Sequence, residues 1–145
     1  GVWVDNMFDY GSARRPYGIN GEGLVSLDRR EYKDAYYLYK AMWNREEPTL
    51  HIVGKRRPLR ANEKQSFRVY SSEGMPQLIV GADTVAMTEY AACQYRSDSV
   101  TVKGMVGVKV SAGEITDSMT LRVGNVLKSK RYPGLPQKAD PQTTN

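Results

Sequence analysis

Residues 99–112 read SVTVKGMVGVKVSA. Val106, Val108 and Val110 fall on one face of an extended chain, with Gly107, Lys109 and Ser111 on the other, because successive side chains of a strand point to opposite sides. That alternation marks an antiparallel strand with one buried face. Gly104 interrupts the run, so two strands are expected.

The same grammar extends outward in both directions. LHIVG at 50–54, SFRVYS at 66–71, QLIVG at 77–81, TVAMTE at 84–89, ACQYRS at 92–97 and SMTLRVG at 118–124 each read as short strands. Short strands separated by turn residues at this spacing predict a mainly β chain with an immunoglobulin-like β-sandwich over residues 46–127. The segment 128–145, including KSKR and YPGLPQKADPQTTN, has too little apolar content to pack and is expected to be a polar extended tail.

Upstream of the strands the pattern differs. GVWVDNMF at 1–8 alternates imperfectly and reads as a strand buried on both sides. Residues 9–23 hold four glycines, a proline and the Arg14-Arg15 pair, and read as a long loop. Asp28 and Glu31 have the spacing of a capping box, and Tyr32, Ala35, Tyr36, Tyr39, Met42 and Trp43 follow at helical spacing. Together they predict a helix over 29–43 whose aromatic stripe packs on a core. The chain thus divides near Asn44 into an incomplete strand, loop and helix (1–45) and the sandwich.

Composition narrows the function classes. With 40% hydrophobic and 26% charged residues the chain has the balance of a globular protein. No apolar run reaches the about 20 residues of a membrane span, and residues 1–10 lack the features of a secretory signal. The net charge of +5 is scattered and carries no nucleic-acid motif. Neither a nucleic-acid nor a membrane partner is therefore expected. One cysteine, Cys93, and one histidine, His51, make neither a disulfide nor a zinc site. No metal or cofactor is predicted. Cys93 reads as a structural thiol, because no His or Lys stands beside it in sequence to activate it.

Several motifs in order carry a resemblance. Asn6-Met7-Phe8-Asp9, Gly18-Ile19-Asn20-x-x-Gly23-Leu24-Val25, Asp28-Arg29 and Lys33-Asp34-Ala35-x-Tyr37-x-Tyr39-Lys40 resemble the end of the catalytic barrel in glycoside hydrolase family two, and most of all its β-galactosidase-like members. The resemblance covers about the first 45 residues. It makes residues 1–8 the eighth strand of a β/α barrel and the following helix the one that closes it. A barrel needs eight strands and about 250 residues, so this chain cannot form one alone. The family places an immunoglobulin-like domain after the barrel, where the sandwich is expected here.

What the resemblance implies for chemistry is limited. Retaining glycosidases use two carboxylates about 5 Å apart, and in this family both are glutamates on earlier barrel strands, matched by no position here. Asn62-Glu63 mimics the family's Asn-Glu pair but reads as a surface turn, and Glu46-Glu47 reads as a solvated pair. No catalytic residue is assigned. Because barrel sites sit at the C-terminal ends of strands, Trp3, Asp5, Asn6, Asp9 and Asn20, with Arg14 and Arg15 nearby, are the candidate carbohydrate-pocket residues of a complete barrel. Family members commonly carry tryptophan where this chain has Asp5, with Trp3 two residues earlier, so the exact sugar stays open. Asp5 and Asp9 have a structural reading too, capping a turn or pairing with Arg14 or Arg15.

The expected function is therefore that of a C-terminal, structural piece of a β-galactosidase-like hydrolase, inactive alone. The alternative is a stand-alone carbohydrate- or protein-binding module. Scarce aromatics after residue 48, namely Phe67, Tyr70, Tyr90, Tyr95 and Tyr132, speak against a sugar-stacking platform. The exposed apolar strand and helix are expected to pack on the sandwich or on a second copy in a homo-oligomer. The resemblance implies a secreted or periplasmic address.

Overall fold

The computed structural model describes residues 3–15 and 18–124. The expectations for Val2 and for the tail at 128–145 lie outside them. The element order begins with β1 (Tyr10–Gly11), β2 (Ile19–Asn20) and α1 (Asp34–Trp43), followed by β3 (Leu50–Ile52), β4 (Leu59–Arg60), β5 (Lys64–Gln65) and β6 (Arg68–Ser71). Then come β7 (Gln77–Val80), β8 (Asp83–Val85), β9 (Met87–Ala91), β10 (Gln94–Ser97), β11 (Val100–Thr101), β12 (Gly104–Ala112) and β13 (Ile115–Val123).

Two layers enclose the core. One is a four-stranded sheet in the order β3-β6-β10-β9, the other a five-stranded sheet in the order β4-β13-β12-β7-β8. With the sandwich strands lettered along the chain, these are the ABED and GFCC′ sheets of an immunoglobulin fold. Ile52, Phe67 and Val69 from the first layer meet Leu78, Val80, Val108, Val110 and Leu121 from the second. Val108 and Val110 are 1% and 0% exposed, as their alternation required. The β12–β13 hairpin runs in unbroken register from Gly104↔Val123 to Ala112↔Ile115. Its two-residue loop places Gly113 at φ +58°, the first central position where a tight hairpin turn asks for glycine.

The run 99–112 splits as expected, into β11 and β12. TVAMTE does not stay whole. Asp83–Val85 pairs with β7 in one sheet and Met87–Ala91 with β10 in the other. The chain changes layers at Ala86, and Val85 and Met87 both pack on the core, so one alternating run serves two sheets.

The upstream segment corrects two expectations. Residues 3–8 form no strand. Their link to the fold is a parallel bridge, Phe8↔Val25, with Asp9 N–H donating to Val25 O and Val25 N–H to Met7 O, both at 2.9 Å. A strand exists only where neighbours satisfy its ladder groups, and among the described residues Val25 alone does so here. Far from being buried, Trp3 is 86% exposed. The long loop contains the small β1–β2 hairpin, paired Tyr10↔Asn20 and Gly11↔Ile19.

The helix starts at Asp34 instead of residue 29. Asp28 and Glu31 make no capping box. Asp28 Oδ1 accepts from the Ser26 hydroxyl at 2.5 Å and Arg30 N–H at 3.1 Å, while Ser26 Oγ accepts Glu31 N–H at 3.1 Å. Arg29 takes φ 60°, which breaks helical continuity, and a bridge Val25↔Tyr32 holds the next residues extended. From Asp34 onward the helix carries its acid in the first turn and Lys40 in the last, the arrangement its dipole favours.

Helix α1 lies on the outer face of the four-stranded sheet, against β3 and β6. His51 and Tyr70, cross-strand partners on the side opposite Ile52 and Val69, are buried beneath it. His51 Nε2 donates to Asp34 Oδ1 at 2.7 Å, and Gly54 N–H reaches the same carboxylate at 3.1 Å. The Tyr37 ring stacks on the His51 imidazole at 3.9 Å. At the far end of the helix Cys93 Sγ approaches Ala41 O at 3.6 Å. Burial, and then the Glu89 carboxylate, push this thiol up, as suits a packing role.

Burial alone would raise the Asp34 carboxyl, but the bonds from His51 and Gly54 N–H, with the charges of His51 and Arg56, outweigh it and hold the group below 3.8. A carboxyl lowered in the folded state stabilises that state above its unfolded value, and the stabilisation is lost as pH falls through the folded value. Acid titration of stability should therefore fall below about pH 3.8 less steeply in Asp34→Asn than in the unaltered chain. Parallel acid limbs would contradict this.

Gly23 makes the closest backbone approach: a Cβ there would stand 2.2 Å from the Phe8 carbonyl carbon and 2.3 Å from Asp9 N. Gly23→Ala must spread the 8–9 and 23–25 segments, and a cost of about 1–3 kcal/mol is expected in denaturant unfolding. An unchanged midpoint would refute the contact.

Candidate functional site

The candidate pocket residues separate into an inward group and an outward one. Asp9 Oδ1 accepts Gly23 N–H at 2.9 Å and Lys33 Nζ at 2.5 Å. Lys33 Nζ also donates to Gly21 O at 2.7 Å, so one ammonium ties the loop to the residue preceding α1. Asn20, 6% exposed, donates through Nδ2 to the Tyr10 hydroxyl at 2.8 Å and to Glu22 Oε2 at 3.3 Å, and accepts Glu22 N–H at 3.1 Å. Arg15 pairs with Glu22 at 2.7 Å.

Asp9 thus pairs with Lys33, and not with Arg14 or Arg15. The structure gathers Asp9, Asn20 and Arg15 into one loop network. Trp3, Asp5 and Arg14 stand outside it on the surface, and Asn6 is half-buried. Chemically, Asp9 has two donors on one oxygen and Asn20 uses both ends of its amide internally, so both hold the loop in shape. Trp3 and Asp5 keep an aromatic face and a carboxylate toward solvent, the two groups that stack on sugar C–H faces and accept from hydroxyls.

Lys33 and Asp34, part of the helix motif, carry contacts that their spacing alone does not state. These adjacent side chains go to the loop and to the sandwich. Arg29, in the Asp28-Arg29 motif, has its guanidinium carbon 4.6 Å from the centre of the Phe8 ring, a cation–π contact across the bridge.

The Asn62-Glu63 and Glu46-Glu47 pairs both lie on the surface. Asn62 and Glu63 occupy an exposed turn before β5, with Glu63 O accepting Val102 N–H at 2.8 Å. Glu46 and Glu47 are exposed, and Glu47 pairs with Lys40 at 3.0 Å.

No protein-family model matches the chain. A β-glucuronidase of Bacteroides fragilis is 35% identical over 118 residues, covering 79% of this chain and 16% of that protein. Among solved structures, an FMN-binding β-glucuronidase from Faecalibacterium prausnitzii L2-6 is similar with a TM-score of 0.74 and 34% identity, over 82% of this chain and 19% of that one. A protein assigned as a β-galactosidase from Bacteroides fragilis gives a TM-score of 0.75 at 27% identity, over 81% of this chain and 19% of that one. The chain therefore spans less than a fifth of the length of these relatives. Over about four fifths of its residues, the chain is homologous to the β-glucuronidase- and β-galactosidase-like glycoside hydrolases of family two.

Proposed function

We propose that this chain is the C-terminal part of a family-two glycoside hydrolase. Residues 1–45 complete its barrel, residues 46–127 form the sandwich behind it, and 128–145 are a tail. Its own contribution is structural, with the two catalytic glutamates carried by barrel segments that this chain does not include. The observation that supports this most is the asymmetry of the match, which takes in 79% of this chain but 16% of the relative.

The distribution of apolar surface agrees. Of the twelve exposed large hydrophobics among the described residues, eight (Trp3, Met7, Phe8, Tyr10, Ile19, Leu27, Tyr32 and Trp43) belong to residues 1–45. This concentration of exposed apolar side chains suits a segment that another part of a protein covers; here that part is the rest of the barrel, in preference to a second copy. In the sandwich, Phe67, Tyr70 and Tyr95 are buried and Tyr90 is exposed; Tyr132 lies outside the described residues. A single exposed ring supplies no platform for a sugar-binding module.

Within the complete enzyme, Trp3, Asp5 and Asn6 are the residues of this chain placed to touch a carbohydrate, and Asp9 and Asn20 position the loop beside them. The substrate is a β-glucuronide or a β-galactoside, the sugars named for the relatives. A retaining mechanism needs an acid/base and a nucleophile about 5 Å apart, and neither is assigned to this chain.

Hydrolysis of nitrophenyl β-glucuronide and β-galactoside should be absent for the 145-residue chain and present for a form extended upstream to a full barrel. Turnover by the short chain would overturn the proposal, as would inactivity of the extended one on both sugars.

A further inference from the structure

Between the start of α1 and the turn after β3 lies a cavity of about 580 Å³, lined among others by Lys33, Asp34, Arg56, Arg57, Arg60 and Arg68. Five cations there face one carboxylate. The local anions do not balance them. Asp34 is engaged by His51 and Gly54, Lys33 is held by Asp9, and Arg56 pairs with Glu31 at 2.8 Å on the rim. Among the described residues, Arg57, Arg60 and Arg68 have no carboxylate within 4.0 Å.

Arg60 is the most fixed of the three. Its Nη2 donates to Gly54 O at 3.1 Å, and its Nε is buried with no hydrogen-bond partner. The turn is shaped around it: Gly54 sits at φ +87°, and a Cβ there would meet Arg60 Nη2 at 2.7 Å. Glycine lets the guanidinium lie along the turn backbone, which sets its planar fork before any ligand arrives.

From this cluster the geometry points to an oxyanion site, one that takes the phosphoryl group of a small phosphorylated ligand. A phosphomonoester brings a charge near −2 and three strong acceptor oxygens, matching three guanidinium groups without carboxylates. A sugar carboxylate brings one charge and two oxygens. Guanidinium forks bind phosphate in bidentate fashion, and the volume lies in the range of small-molecule pockets. The site uses none of the candidate carbohydrate positions, and it stands whether or not the glycosidase reading does.

The test is titration of the chain with inorganic phosphate at low ionic strength, read by calorimetry and by amide shifts at 54–60. Saturable one-to-one binding is expected. Arg57→Gln and Arg68→Gln, both at exposed positions, should each weaken it by about tenfold, as expected for loss of a charge-assisted hydrogen bond. Arg122→Gln, on β13 outside the cavity, should leave it unchanged. Glucuronate should bind about tenfold more weakly than phosphate, since it offers half the charge. Non-saturating binding, an equal loss in Arg122→Gln, or glucuronate binding as tightly as phosphate would each overturn the assignment. Arg57→Gln lies in a turn and keeps the test valid if the strand variant fails to fold.

Discussion

The carboxylate of Asp34 joins the two parts of this molecule. It sits in the first turn of α1, accepts from His51 Nε2 on the sandwich sheet and from Gly54 N–H in the turn beyond β3, and places Tyr37 over the His51 ring. The dependence runs from packing back to local structure. A helix of ten residues is shorter than the about 12–15 at which isolated helices become even marginal in water. Its first residue has no side-chain cap before it either, since Lys33 supplies none. What holds it helical is burial against the sheet, with Asp34 as its polar anchor.

Three residues of the sandwich serve that anchor and the core together. In β3, Leu50–Ile52, the His51 side chain goes outward to the helix while Ile52 goes inward to the core. The third direction is the open edge. There Ile52 N–H donates to Asp117 Oδ2 at 2.8 Å, and Lys55 pairs with the other oxygen of that carboxylate. Asp117 lies on β13 in the opposite layer, so this bond ties the layers at the edge and satisfies a donor that an edge strand would otherwise leave exposed. One short strand thus couples helix, core and sheet edge. Lys33, next to the anchor, grips Asp9 and Gly21 and passes the constraint on to the loop of residues 9–23.

How much of this was legible in the sequence follows from the range of each interaction. The sandwich was readable because period-two burial is local: Val106, Val108 and Val110 declare their face without reference to anything distant. The layer change at Ala86 was not, since Val85 and Met87 keep the same alternation in both sheets. The helix start was misread because Asp28 and Glu31 have the right spacing for a cap, while the competing partner, Ser26, and the bridge from Val25 to Tyr32 are set by tertiary pairing. Residues 3–8 carry the composition of a strand and lack the neighbours that would make one. At the candidate site, the motif Gly-Ile-Asn-x-x-Gly falls in the loop whose internal hydrogen bonds run through Asn20, Glu22 and Gly23. Gly23 in it answers a backbone approach that composition cannot reveal, and the Asn20 amide bonds inward to Tyr10, a contact set by tertiary packing.

Helix α1 is helical because it is docked on the sandwich, a dependence that hydrogen exchange on the chain reads out amide by amide. Amides within 34–43 should be protected to nearly the same degree as those of β6 and β12, and Asp34→Asn should selectively speed exchange in the helix and at Gly54. Rapid exchange throughout 34–43 alongside a protected sandwich, or helix protection untouched by Asp34→Asn, would contradict it.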